Sequence, residues 1–131
     1  MNIIDGILKD MKDLQDKVAR LEAHNHYHPM IALRAATMLT ISGGVITITH
    51  GYHSIDTEGA AASDNLDTIN GGVEGDVLII RAAYSSRTVV CKNGTGNLQL
   101  AGDMSLDHAD DTLTLIYDGA SWLEIAGSNN A

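Results

Sequence analysis

The stretch "GDVLIIRAA", residues 75–83, decides the fold class. A glycine and an aspartate precede an unbroken aliphatic run from Val77 to Ile80. Such a run is too short for a buried helix and is bounded by turn residues. It reads as a strand buried on both faces. Outward in both directions the chain keeps a period of two. Downstream come "RTVVCK" (87–92), "GNLQLAG" (96–102), "DTLTLIYDG" (111–119) and "SWLEIAG" (121–127). Upstream, "LTISGGVITIT" (39–49) sets Ile46 and Ile48 opposite Thr47 and Thr49. Turn residues punctuate these segments at Gly71-Gly72, Asn93-Gly94, Gly96-Asn97, Ala101-Gly102-Asp103 and Asp118-Gly119. Short strands between glycine-rich turns predict an all-β domain over 40–131, an antiparallel sandwich or prism. Its last two strands form a hairpin through "DGAS" (118–121), with Leu113, Leu115 and Tyr117 on one face of the first arm.

The first 24 residues obey a different rule. Ile4, Met11 and Val18 stand seven apart, and so do Ile7, Leu14 and Leu21. The two series interleave as positions a and d of three heptads. Asp10, Lys12, Asp13, Asp16, Lys17 and Arg20 fill other positions. A narrow apolar stripe on a charged helix wants another helix rather than a broad core. Ile and Val at a with Leu at d lean towards two strands, whereas Ile at both a and d of the first heptad leans towards three. "KVARLE" (17–22) places Lys17 at g and Glu22 at e around Val18 and Leu21, close to a trimer-favouring arrangement. The expected helix is therefore a homotrimeric coiled coil over 1–24. A histidine-rich joint and connector follows over 25–39, in which "MIALRAATML" (30–39) reads equally as a short helix or an extended link.

Composition bounds the function. Of 131 residues, 44% are hydrophobic but only 4% aromatic, with no Phe. A core made of Ile, Leu, Val and Ala buries less area per residue than an aromatic one, and association would supply the missing burial. The net charge of −9 argues against nucleic acid or an anionic membrane as partner. The sequence shows no signal peptide or transmembrane run, so synthesis and use without export is expected. The one cysteine, Cys91, excludes an intrachain disulfide and reads as a small buried hydrophobe.

The β segments are also similar to a recurring module of tailed-phage virion proteins, found in tail-fibre, head-fibre and capsid-decoration chains. The resemblance is carried by "GYHSIDTEG" (51–59), "DNLDTINGGVEGDVLIIRA" (64–82), "TVVCKNGTGNLQLAG" (88–102) and "DDTLTLIYDGASWLEIAGSNN" (110–130). Within these, Gly71, Gly72, Gly75, Asp76, Gly96, Asn97, Leu98, Tyr117, Asp118, Gly119 and Trp122 carry the pattern. It implies a non-enzymatic, commonly trimeric virion protein whose partners are its own copies and the major capsid protein or other virion proteins. A chain this short fits a capsid decoration protein or short head fibre. A tail-fibre or receptor-binding knob contacting a host surface glycan or protein is the alternative, with Tyr117 and Trp122 as a candidate sugar platform, although a lone Trp in a terminal hairpin more often closes one end of a core.

"LEAHNHYHPM" (21–30) holds the remaining chemistry: His24, His26 and His28 at alternate positions before Pro29. Extended near a threefold axis, two of these per chain would give six imidazoles. That octahedral set would suit iron, nickel or cobalt better than zinc, and it resembles the His-x-His sites on the axes of trimeric phage fibres. If the helix instead continues, Asn25 falls at a and sets register, and the histidines are solvated. A pH-sensitive contact is the third reading. His50 and His53 in "HGYH" (50–53) read as structural or surface residues, and "DHADD" (107–111) as a solvated turn rather than a calcium loop. No pair of acids, nucleophile elbow or zinc-hydrolase helix indicates catalysis.

Overall fold

In the computed structural model the chain divides into two compact units, Met1–Ala32 and Leu33–Ala131. The structure describes residues 3–25 and 32–131, with the backbone alone for residues 20–25. The first unit contains helix α1, Ile3–Asn25. Asp5 in its first turn complements the helix dipole.

The second unit holds eleven strands. They are β1 (Thr37–Thr40), β2 (Val45–Thr47), β3 (Tyr52–Asp56), β4 (Ser63–Leu66), β5 (Thr68–Asn70) and β6 (Val77–Ala82). Then come β7 (Thr88–Cys91), β8 (Leu98–Gln99), β9 (Met104–Leu106), β10 (Thr112–Tyr117) and β11 (Trp122–Ser128). Three sheets result, in the orders β1-β3-β6-β10-β11-β8, β2-β5 and β4-β7-β9. The protein is thus mainly β with one N-terminal helix. Of the connector, residues 32–36 have no regular structure and 37–40 are strand.

The antiparallel sandwich or prism expected from the turn spacing is not what forms. β1 lies parallel on β3, and β3 parallel on β6, so Thr37 meets His53 and His53 meets Ile80. β2 pairs in parallel with β5, and β4 with β7. Between β1 and β3 the chain passes through β2. Between β3 and β6 it passes through β4 and β5. Each circuit therefore returns above the last, as in a solenoid, because parallel neighbours need a long crossover. Antiparallel strands then close the winding: β9 on β7, β10 on β6 and β11 on β10.

Alternation decides what is buried. β6 sends Leu78, Ile80 and Ala82 inward, and β10 sends Leu113 and Leu115. They join Ile41, Ile46, Ile55, Leu66, Ile69, Val89, Leu98, Leu106 and Trp122 in one core. The run at 77–80 is not buried on both faces within the chain. Val77 remains 43% exposed and Ile79 is only half-buried.

Two of the glycines are fixed by close approach. A Cβ on Gly96, whose φ is +56°, would collide with the Asp67 carbonyl and the Thr68 hydroxyl. One on Gly72 would come within 2.6 Å of the Trp122 ring. Gly96→Ala combines a left-handed backbone with a backbone clash, so it should cost at least about 1–3 kcal/mol of unfolding free energy. A chemical denaturation midpoint matching the parent would contradict this packing.

Candidate association surface and the groups around it

Helix α1 presents the heptad side chains without cover in the single chain. Ile4 is 66% exposed and Leu14 63%, and Ile7, Met11 and Val18 are exposed too. Ile3 and Leu8 flank the stripe and are also exposed. Lys17 stands exposed beside it at g. Leu21 and Glu22 continue the helix, but their side chains lie outside the described residues. The same is true of the His24 side chain, and His26 and His28 lie wholly outside them. Among the described residues, no group of three or more His, Cys, Asp or Glu is placed to hold a metal ion. No described helix is long and apolar enough to cross a membrane.

The aromatic pair offered as a sugar platform is a core element instead. Trp122 is fully buried. Its Nε1–H donates to the Ile69 carbonyl at 3.1 Å, and its ring lies 4.9 Å from that of the half-buried Tyr117. Asn97 completes this hub. Its Oδ1 accepts the Ile69 N–H at 2.9 Å, and its Nδ2 donates to the Ile69 carbonyl at 2.8 Å. The Asn97 carbonyl accepts the Trp122 N–H at 2.8 Å. One amide side chain thus serves β5 as a neighbouring strand would, while its backbone holds β11.

The neighbouring turns are held in the same way. Asp76 Oδ2 accepts the Val73 N–H, and the Tyr117 backbone exchanges hydrogen bonds with Gly75 and Asp76. Asp118 Oδ1 accepts the N–H groups of Ser121 and Ala120, which hold its carboxyl below the usual range. These polar groups hold the turns in place.

Asp111 departs from the expected solvated turn. It is buried, with Oδ1 accepting the Asn130 N–H and Oδ2 accepting those of Asp107 and His108. Burial alone would raise its pKa. The hydrogen bonds to the carboxylate outweigh it and hold the group below its ordinary value. Cys91 is buried, and its thiol is pushed up to about 12, first by burial and then by the Glu124 charge. It is no nucleophile near neutral pH.

His50 and His53 form a structural joint. Their ring centroids are 4.3 Å apart. His53 is buried, and its Nδ1 lies 3.0 Å from the Thr37 carbonyl, which can only accept. Nδ1 therefore carries the proton, and Nε2 accepts the N–H groups of Thr49 and His50. Protonation at Nε2 would set a donor against two donors. Burial, reinforced by the neighbouring His50, holds the His53 pKa below the usual value. Because the folded value lies below an unfolded value of about 6.5, the unfolded chain binds the proton first. The contribution to stability is whole above about pH 6.5 and falls as the pH drops towards the folded value. A ¹⁵N-imidazole titration should show His53 as the neutral Nδ1–H tautomer with its midpoint below 6.5. A midpoint at or above that value would contradict the assignment.

Beside this joint, Ile48, Thr49, His50, Gly51, Gly71, Asp76 and Val77 line a cavity of about 270 Å³. Its lining includes one histidine and one carboxylate, fewer than the three protein ligands of a typical metal site. The chain matches no protein-family model, no curated protein and no solved structure.

Proposed function

We propose that the chain is a non-enzymatic structural protein that works as a homotrimer. Its helices form a short three-stranded coil, and its β units decorate a tailed-phage capsid as cement or as a short head fibre. The observation that carries the reading is the exposed stripe of Ile4, Ile7, Met11, Leu14 and Val18 on an otherwise charged helix. Such a stripe is an unfilled half of a helix–helix seam. Each copy adds the same apolar area to the shared seam, at roughly 25 cal/mol per Å². The capsid partner rests on the resemblance of the β segments.

A receptor-binding knob is the second reading. It loses the aromatic platform on which it drew, since Trp122 is buried and Tyr117 packs on it. The two readings part in one experiment. Purified protein is mixed with phage capsids stripped of accessory proteins and, separately, applied to host surface polysaccharides. Saturable capsid binding in multiples of three chains supports decoration. Polysaccharide binding without capsid binding would transfer the protein to the host-contacting class.

A further inference from the structure

The outer face of the six-stranded sheet is a second apolar surface, and it is made by strands distant in sequence. Register places Val77 of β6, Ile116 of β10 and Leu123 of β11 in one row across the sheet. In the next row, Tyr52, Ile79, Thr114 and Ala126 align. The bulge in β11 adds Ile125, which has no partner in the ladder and is 55% exposed. Leu123 is 37% exposed, so β11 offers two aliphatic side chains to solvent.

This surface is also short of negative charge, in a chain of 17 acidic residues. The sheet's strands contain only two acids, Asp56 and Glu124. Asp56 is buried and paired with Arg87 at 2.9 Å. Glu124 opposes core-facing Leu115 in the ladder and accepts the Ala101 N–H at 2.6 Å. The face's own cation, Arg81, is turned onto the Tyr52 hydroxyl and the carbonyls of Ala82 and Ala109. A largely aliphatic face whose strands turn no acid outward is what two copies of net charge −9 can bring together without opposing their carboxylates.

We infer that this face, centred on Val77, Ile79, Ile116, Leu123 and Ile125, is where the β units of neighbouring copies of this chain pack. The inference rests on the helix-mediated association proposed above. Once the helices join, each β unit meets the others at the high effective concentration set by a short tether, so a modest apolar face suffices. The aliphatic run at 77–80 then acquires cover on its second side.

Hydroxyl-radical footprinting of the full-length protein tests this, with a full-length Leu14→Asp chain as the unassembled reference. The side chains of Val77, Leu123 and Ile125 should label several-fold more slowly in the parent than in the reference. A parent of trimer mass whose three residues label as fast as the reference would overturn the inference and leave the helical seam standing. A parent of single-chain mass would overturn the association itself. A second variant, Leu123→Lys with Ile125→Lys, alters only exposed positions of the single chain. It should raise the concentration of half-dissociation by about tenfold or more. An unchanged dissociation profile in that variant also overturns the inference.

Discussion

Leu14→Asp is expected to return the protein to single chains. Leu14 occupies the central d position and is 63% exposed when the chain stands alone. In a three-stranded seam it would be covered in every copy at once. Burying a leucine side chain is worth about 1.5–3 kcal/mol, and the loss is repeated once per copy. The aspartate adds a further cost, because three carboxylates would face one another away from water. The combined penalty is large enough to move the dissociation concentration by several orders of magnitude. Sedimentation velocity at micromolar concentration should show a 13.9 kDa species. Helical circular dichroism should fall with it, since most helical stability in proteins comes from packing of the apolar face rather than from propensity. Leu14→Met, which keeps an apolar side chain, should retain assembly. A Leu14→Asp protein of unchanged mass would remove the helix from the interface.

Trp122→Ala acts on the β unit alone. Trp122 is the largest buried side chain and joins β5, β10 and β11 through Ile69, Tyr117 and Asn97. Its removal leaves a cavity in an aliphatic core with no other tryptophan and no phenylalanine to fill it. Large aromatic-to-alanine changes in cores cost about 3–5 kcal/mol, against a total stability of about 5–15 kcal/mol. The lost Nε1 hydrogen bond adds little, because Asn97 Nδ2 still donates to the Ile69 carbonyl. Urea denaturation should register most of that loss. Trp122→Phe, which keeps much of the ring volume, should lose clearly less. A loss below about 1 kcal/mol for Trp122→Ala would contradict a packed hub.

The sequence made the helix legible because seven-residue spacing is a local property of one face. The strands at 112–117 and 122–128 were legible for the same reason, since alternation needs only neighbours, and that at 77–82 through its unbroken apolar run. Partnership was not legible. Turns and alternation look alike whether a strand returns antiparallel beside its predecessor or circles through two other sheets to lie parallel on it. The stacking of Thr37 on His53 and of His53 on Ile80 is written in residues far apart. Trp122 leaves two readings open, sugar platform or core end, for a related reason. Alternation says that it opposes Leu123 but not which of the two faces the core. The burial of His53 and Asp111 escaped because each is satisfied mainly by backbone groups, which carry no sequence signature. The one local hint of the outer sheet face was the unbroken apolar run at 77–80. Such a run predicts a strand covered on both sides, whereas in the single chain one side is open.

Multi-angle light scattering of the protein in plain buffer should return a single species of three times the 13.9 kDa chain mass, holding that mass on dilution through the micromolar range. A compact, cooperatively melting species of one chain mass would contradict the trimer, and the helical seam and the packed sheet faces would go together.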